Sequence, residues 1–290
     1  AIARFRDALV RNPSYLEPTI GLSRSYFRLA EYDQALVHAD RALLLARENP
    51  QVRVLRARIL LAMGDLEQAE AVFREVLVSE PNNLDARLGL AELAAARGRN
   101  VEAASELMRA QRLSSRDQRT LLSLVLVHDE LGETVAAEHY LQLALSAHQS
   151  QPEVQVLAAE HYLRRGDLEQ GLYHARVALS LDQSNRSAAR LFAEAALAAG
   201  DFREALTMSE QLISAERGDT LAWYIRGLSL YNLDRVDEAI TAFRTALRLG
   251  EPDEITRLVL EELVISRLDL EDERRAPRAE YHAERAAELA

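Results

Sequence analysis

The residues that could do chemistry are few, and their spacing does not suit it. Seven histidines, His38, His128, His139, His148, His161, His174 and His282, fall at no metal-ligand spacing. There is no cysteine, hence no disulfide framework and no thiolate metal site. Two tripeptides look alike, Glu138-His139-Tyr140 and Glu160-His161-Tyr162, but they sit at different places in the chain's internal period and do not form one repeated site. Acidic neighbours such as Glu261-Glu262 point to different faces of a helix and read as solvated charge. Nucleophile-elbow, P-loop and His-Glu-x-x-His patterns are missing. The sequence therefore predicts no catalytic residue, no metal and no cofactor.

Composition narrows the partner classes. The net charge is −11, so the basic footprint that nucleic acid requires is missing. All 35 basic residues are Arg, which we read as codon bias of a GC-rich, bacterial genome because they are spread over helix faces. No run of 18 apolar residues occurs, so these residues predict no membrane insertion.

What must position any functional side chain is a strict repeat. Gly64 recurs as Gly98, Gly132, Gly166 and Gly200, each 34 residues on; the same step lands on Ala30 and Asp234. With the glycine at position 15, units start at residues 16, 50, 84, 118, 152, 186 and 220, and a degenerate one spans 254–290. Each predicts helix A over positions 2–14 and helix B over 17–30. The glycine ends helix A in a left-handed conformation. Asp65, Asp167 and Asp201 are expected N-caps of helix B, with Gln68, Gln170 and Glu204 at capping-box spacing. Prolines such as Pro13, Pro50, Pro81, Pro152 and Pro252 break the chain before the next helix. Small residues at positions 8, 20 and 27 allow close helix approach, and position 24 carries bulk in Phe5, Phe73, Leu107, Leu141 and Phe243.

Residues 1–15 fit the second helix of a unit, since Ala1, Phe5 and Pro13 fall where Ala69, Phe73 and Pro81 fall. The expectation is a piece of a longer protein. Near the other end the register slips by six across 271–278, and 278–290 is expected to be a displaced capping helix carrying Ala279, Ala283 and Ala286.

These residues resemble the tetratricopeptide repeat, whose pattern places Trp, Leu, Gly and Tyr in helix A, then Ala, Phe, Ala and Pro. Trp223, Gly227, Ala239, Phe243, Ala246 and Pro252 match best, the proline one place late; Ala57, Gly64, Ala69, Phe73 and Pro81 match next. The resemblance implies an all-α fold, an αα-superhelix forming one right-handed solenoid over residues 1–290. It also implies that A helices line a concave groove, with ligand contacts at positions 2, 5, 9, 12 and 13. The groove residues singled out on that basis are Arg24, Phe27, Arg58, Leu61, Leu122, Leu126, Glu160, Leu163, Glu194, Tyr224, Leu228 and Tyr231. They predict an apolar stripe, basic at its start and acidic in the middle, for a segment of another protein. A groove that clamps a terminal carboxylate with Lys and Asn is not supported, because Lys is absent and position 9 carries no Asn. The expected function is a non-catalytic protein–protein scaffold. The alternatives are a docking segment of a larger enzyme or envelope secretion machine, and self-association.

Overall fold

The structure, a computed structural model, describes residues 1–250 and 254–267, together with positions 276, 277, 279, 280, 283 and 287. The described residues form sixteen α-helices and no strand, in two compact units. Unit 1, residues 1–147, holds α1 (Ile2–Arg11), α2 (Leu16–Arg28), α3 (Tyr32–Leu45), α4 (Pro50–Met63), α5 (Leu66–Ser79), α6 (Leu84–Ala96), α7 (Asn100–Leu113), α8 (Gln118–Glu130) and nearly all of α9 (Thr134–His148). Unit 2, residues 148–290, holds α10 (Pro152–Arg164), α11 (Leu168–Leu181), α12 (Arg186–Ala198), α13 (Phe202–Ala215), α14 (Thr220–Asn232), α15 (Val236–Leu249) and α16 (Glu254–Ser266). Even-numbered helices are the A helices of the repeat and odd-numbered ones the B helices, within a residue or so of the predicted bounds. The fold class is all-α, of the αα-superhelix kind.

Backbone conformation explains the hinge between A and B. Gly64, Gly98, Gly132, Gly166 and Gly200 all have positive φ, between 70° and 85°. Ala30 and Asp234, at the same place in the period, adopt φ of 58° and 60°. The left-handed residue is thus demanded by the turn, and two units meet the demand without glycine, at a steric cost.

The caps differ from the expectation. Asp65 and Asp167 accept from the N–H groups of Gln68 (3.2 Å) and Gln170 (3.1 Å). Asp201 makes no side-chain cap bond, and the neighbouring Glu204 is engaged by Arg176 at 2.8 Å instead. Nor is the Gln68 pairing a reciprocal box, since its side-chain amide donates to the Asp65 carboxylate rather than accepting from backbone. The stronger caps lie at position 34, ahead of the A helices. Asn49, Asn83, Asp117, Asn185 and Asp219 each accept from backbone N–H groups two or three residues on. Gln151 stands there at the end of the fourth unit and makes no such bond.

Packing follows the period. Ala35, Ala69, Ala103, Ala137, Ala205 and Ala239, all at position 20, are fully buried. Bulk at position 24 is matched by its absence at position 6 of the following A helix. Phe5 lies against Gly21 and Phe73 against Gly89, while Ala39 shares a cluster with Leu55. In unit 2, Ala175 is matched by Leu191, and Phe243 packs on Gly227 of its own pair. In these layers the knob-and-hole exchange keeps the filled volume nearly constant.

The expected proline break at Pro252, the charged insertion at 271–275 and position 278 lie outside the described residues. So does most of the expected helix over 278–290; its described positions 279, 280, 283 and 287 are helical and exposed.

Candidate interaction grooves on the A helices

Within each unit, successive A helices lie side by side: α2 with α4 and α4 with α6 in unit 1, α10 with α12 and α12 with α14 in unit 2. Their shared face carries the predicted groove residues. In unit 1 it encloses an open depression of about 740 Å³. Helix α2 contributes Arg24, Phe27 and Arg28; α4 contributes Gln51, Val54, Leu55 and Arg58; the start of α6 contributes Asn83 and Asp85.

The floor is apolar and the rim polar. Val54 and Leu55 are buried beneath it, and the Arg58 guanidinium stands over the Phe27 ring, 5.8 Å from its centroid. None of Arg24, Arg28 and Arg58 has an ion-pair partner among the described residues. Asp85 is paired with Arg119 at 2.6 Å, which leaves the three Arg side chains as the unneutralised charge of this face.

Three of the twelve predicted residues are therefore brought together here: Arg24, Phe27 and Arg58. Leu61, one turn beyond Arg58, is half-buried in the cluster under Phe73 and does not line the depression. On α8, Leu122 is half-buried and Leu126 exposed. Arg28, Gln51, Asn83 and Asp85 were not among the predicted residues. Position 13 could have pointed to Arg28 and position 2 to Gln51 and Asp85; Asn83 is a helix cap, and nothing in the sequence pattern marks it as a lining residue.

Unit 2 has a different face. On α10, Glu160 is half-buried, and the Leu163 side chain packs where a Cβ on Gly171 would stand. Glu194 is exposed on α12; partial desolvation among its neighbours raises its carboxyl above the ordinary value, with Arg190 one turn earlier pulling it back. Tyr224 is half-buried and tilted against Phe243, their centroids 5.9 Å apart, and Leu228 packs on the same cluster. Tyr231 is 45% exposed. The two tyrosines thus have different environments, and Tyr231 is the ring open to a partner.

Arg190 is paired within the chain, although its side chain is 41% exposed. Its guanidinium and that of Arg186 both lie 2.9 Å from Oδ2 of the buried Asp219, the cap of α14. Burial is the largest single influence on this carboxyl and raises it. The bonds from Arg186, Arg190 and the Ala222 N–H together outweigh burial and hold it below its ordinary value.

Three of the seven histidines have a structural explanation that linear spacing hides. Tyr26 stacks on His38 (5.5 Å, 3°), His128 on Tyr140 (5.3 Å, 16°) and Tyr162 on His174 (5.4 Å, 10°). Each pair joins position 11 of helix A to position 23 of helix B, with the partners exchanged in the fourth unit. The two Glu-His-Tyr tripeptides each lend a tyrosine to such a pair. His128 Nδ1 lies 2.6 Å from Glu133, and His174 Nδ1 lies 2.7 Å from Gln155. No cluster of metal-ligating residues is present among the described residues, and no helix among them is long and apolar enough to cross a membrane.

Comparison with known proteins agrees with this architecture. A family model described as tetratricopeptide repeat matches residues 54–117 and 190–254, and a second of the same description matches 152–176. The cellulose synthase operon protein C of Escherichia coli K12 is 31% identical over 132 residues, 41% of this chain and 11% of that protein. The chain thus spans about a tenth of the length of that curated relative. Among solved structures, a thermophilic TPR protein of Thermus thermophilus aligns with a TM-score of 0.59 at 27% identity, covering 63% of this chain and all of that one. A chain of the APC/C hetero-tetramer Cut9-Hcn1 aligns over 91% of this chain and 52% of its own, with a TM-score of 0.71 at 17% identity.

Proposed function

Because the chain belongs to the tetratricopeptide-repeat family, we propose that it is a non-catalytic scaffold whose unit 1 groove holds an extended segment of another protein. The observation that carries this reading is the set of three unpaired guanidiniums, Arg24, Arg28 and Arg58, around an uncovered apolar floor. In a chain of net charge −11 such a face is a local reversal of sign. It suits a segment with acidic side chains flanking an apolar anchor, the charges setting orientation and the floor supplying contact. In unit 2 the exposed ring of Tyr231 beside Leu228 would serve a second stretch of apolar contact.

The test is binding of labelled acidic and basic 12-residue peptides, matched in apolar content, to the chain and to an Arg24→Glu/Arg58→Glu variant. Acidic peptides should bind better, and the variant should lose affinity by about tenfold or more, with a steep dependence on salt. Equal binding of both peptide classes would reject the reading. The share of the Escherichia coli relative that is matched favours a second possibility, in which the scaffold is one segment of a larger assembly machine. The sequence of the whole gene decides that point.

A further inference from the structure

A second surface, on the B helices α1, α3 and α5, departs from its counterparts elsewhere in the chain. At position 29 of the period stand Val10 of α1, Leu44 of α3 and Val78 of α5, exposed by 83%, 73% and 84%. Seven residues earlier on the same helices stand Ala3, Val37 and Ala71, also exposed. The other B helices carry Arg112, Ser146, Ser180, Ser214 and Arg248 at position 29, and Ser, His, Tyr or Thr at position 22. Scattered exposed aliphatics are ordinary. Three in the same slot of three neighbouring units, replaced by polar residues in every later unit, form a stripe.

The charges between them follow the same division. Positions 25 and 26 read Arg6/Asp7, Asp40/Arg41 and Arg74/Glu75. The later helices read Met108/Arg109, Gln142/Leu143, Arg176/Val177, Glu210/Gln211 and Arg244/Thr245. An opposite-sign pair thus occurs only where the aliphatic stripe occurs. At 3.6 residues per turn, positions 22 and 29 stack one above the other, and 25 and 26 flank them at about 50° to either side. Each helix therefore presents an apolar centre line with one charge on the left and the opposite charge on the right.

We propose that this face binds a second copy of the chain about a two-fold axis running along α3. Such an axis lays α3 on the partner's α3, and α1 on the partner's α5. It also exchanges left and right, so position 25 of one copy meets position 26 of the other. Arg6 then meets the partner's Glu75, Asp7 meets the partner's Arg74, and Asp40 meets the partner's Arg41. Every one of these contacts joins opposite charges, while Leu44 meets the partner's Leu44 and Val10 the partner's Val78. A two-fold axis at right angles to the helices would instead set Arg6 on the partner's Arg6 and Asp40 on the partner's Asp40. A self-contact requires self-complementarity, and the charge order selects one of the two symmetric arrangements. Several of these groups already have partners within the chain: Arg6 on the Tyr26 hydroxyl, Asp40 on Arg56, Arg41 on the Pro13 carbonyl, Arg74 on Glu70 and Glu75 on Arg53. Most remain exposed, with side-chain exposures of 51% for Asp40, 63% for Arg74 and 64% for Glu75, and a carboxylate can accept a second guanidinium. The contact is small, so the association is expected to be weak and concentration-dependent.

Sedimentation velocity on the 290-residue chain over a concentration series tests this. The average mass should climb towards that of a dimer. Leu44→Asp, at an exposed site that leaves the helical melting curve unchanged, should stay monomeric. Asp7→Arg should weaken the dimer by about tenfold, and adding Arg74→Asp to it should restore association, because the two residues meet across the axis. A wild-type chain that is monomeric at every concentration overturns the proposal and leaves the stripe to another kind of partner. A dimer indifferent to Leu44→Asp, or one that the double exchange fails to restore, overturns it equally.

Discussion

The ring of Phe73 on α5 fills the space in which a side chain at Gly89 of α6 would stand. Phe73 is fully buried, and its Cζ, Cε1 and Cε2 atoms all overlap the position of a Cβ on residue 89. Even one methyl group must therefore displace a packed aromatic ring. Gly89→Ala should cost about 1–3 kcal/mol in urea unfolding. Phe73→Leu should cost stability alone yet recover much of the loss when combined with Gly89→Ala. Additive losses in the double variant would show that the two residues do not share one space.

Ala30 and Asp234 hold left-handed backbone without the freedom of glycine. Ala30→Gly and Asp234→Gly should each raise stability by about 0.5–1 kcal/mol, relief of strain being partly offset by the entropy glycine loses on folding. The reverse change at an equivalent turn, Gly98→Val, should cost about 1–2 kcal/mol, since φ there is 70°. Hydrogen exchange should then rise mainly in the units that flank the turn. A uniform rise would contradict nearest-neighbour coupling.

Asp219 combines a helix cap with two ion pairs at a buried carboxylate. Asp219→Ala should cost about 1–2 kcal/mol, because it removes the cap of α14, while Arg186 and Arg190, with side chains 43% and 41% exposed, stay hydrated. The pH sign follows from its lowered carboxyl. That stability is fully present above the ordinary value of 3.8 and is lost as pH falls through the lower folded value. Thermal melts between neutral pH and pH 3 should show an acid loss in the wild type that is smaller in Asp219→Ala.

His38 behaves in the corresponding way for a base. Burial pushes its imidazole below the ordinary 6.5, and Arg41 and Arg6 push it further. The folded chain prefers the neutral ring, stacked on Tyr26. The contribution is complete above pH 6.5 and declines as pH falls from there towards the folded value. His38→Phe keeps a stacked ring and should flatten this part of the curve. Melting temperatures that still fall equally between pH 7 and pH 5 would assign the effect to other groups.

Position 34 carries a signal that is legible in the sequence. Asn49, Asn83, Asp117, Asn185 and Asp219 form a regular row in the sequence, and their capping chemistry is local. Pro50 and Pro152, expected to break the chain ahead of a helix, instead open helices at a first-turn position, where proline's missing N–H costs nothing. The Tyr–His stacks were less accessible, because their partners are 12 residues apart on opposing helices and change places in one unit.

By itself the sequence determined the period, the all-α class, the left-handed turn and the ladder of small residues. Each of these rests on interactions within a few residues of the chain: a backbone torsion, a helical face, the clearance a small side chain provides. Only the tertiary structure decided which inner-face residues remain open to a partner. Tyr224 and Tyr231 occupy equivalent faces of one helix, yet one leans on Phe243 and the other is exposed. Leu163 is taken up by the gap at Gly171, and Arg190 by Asp219, whereas Arg24 and Arg58 meet no acid among the described residues. Exposure depends on the volume and charge of side chains on adjoining helices, and a repeat pattern specifies where those helices lie without specifying what they present.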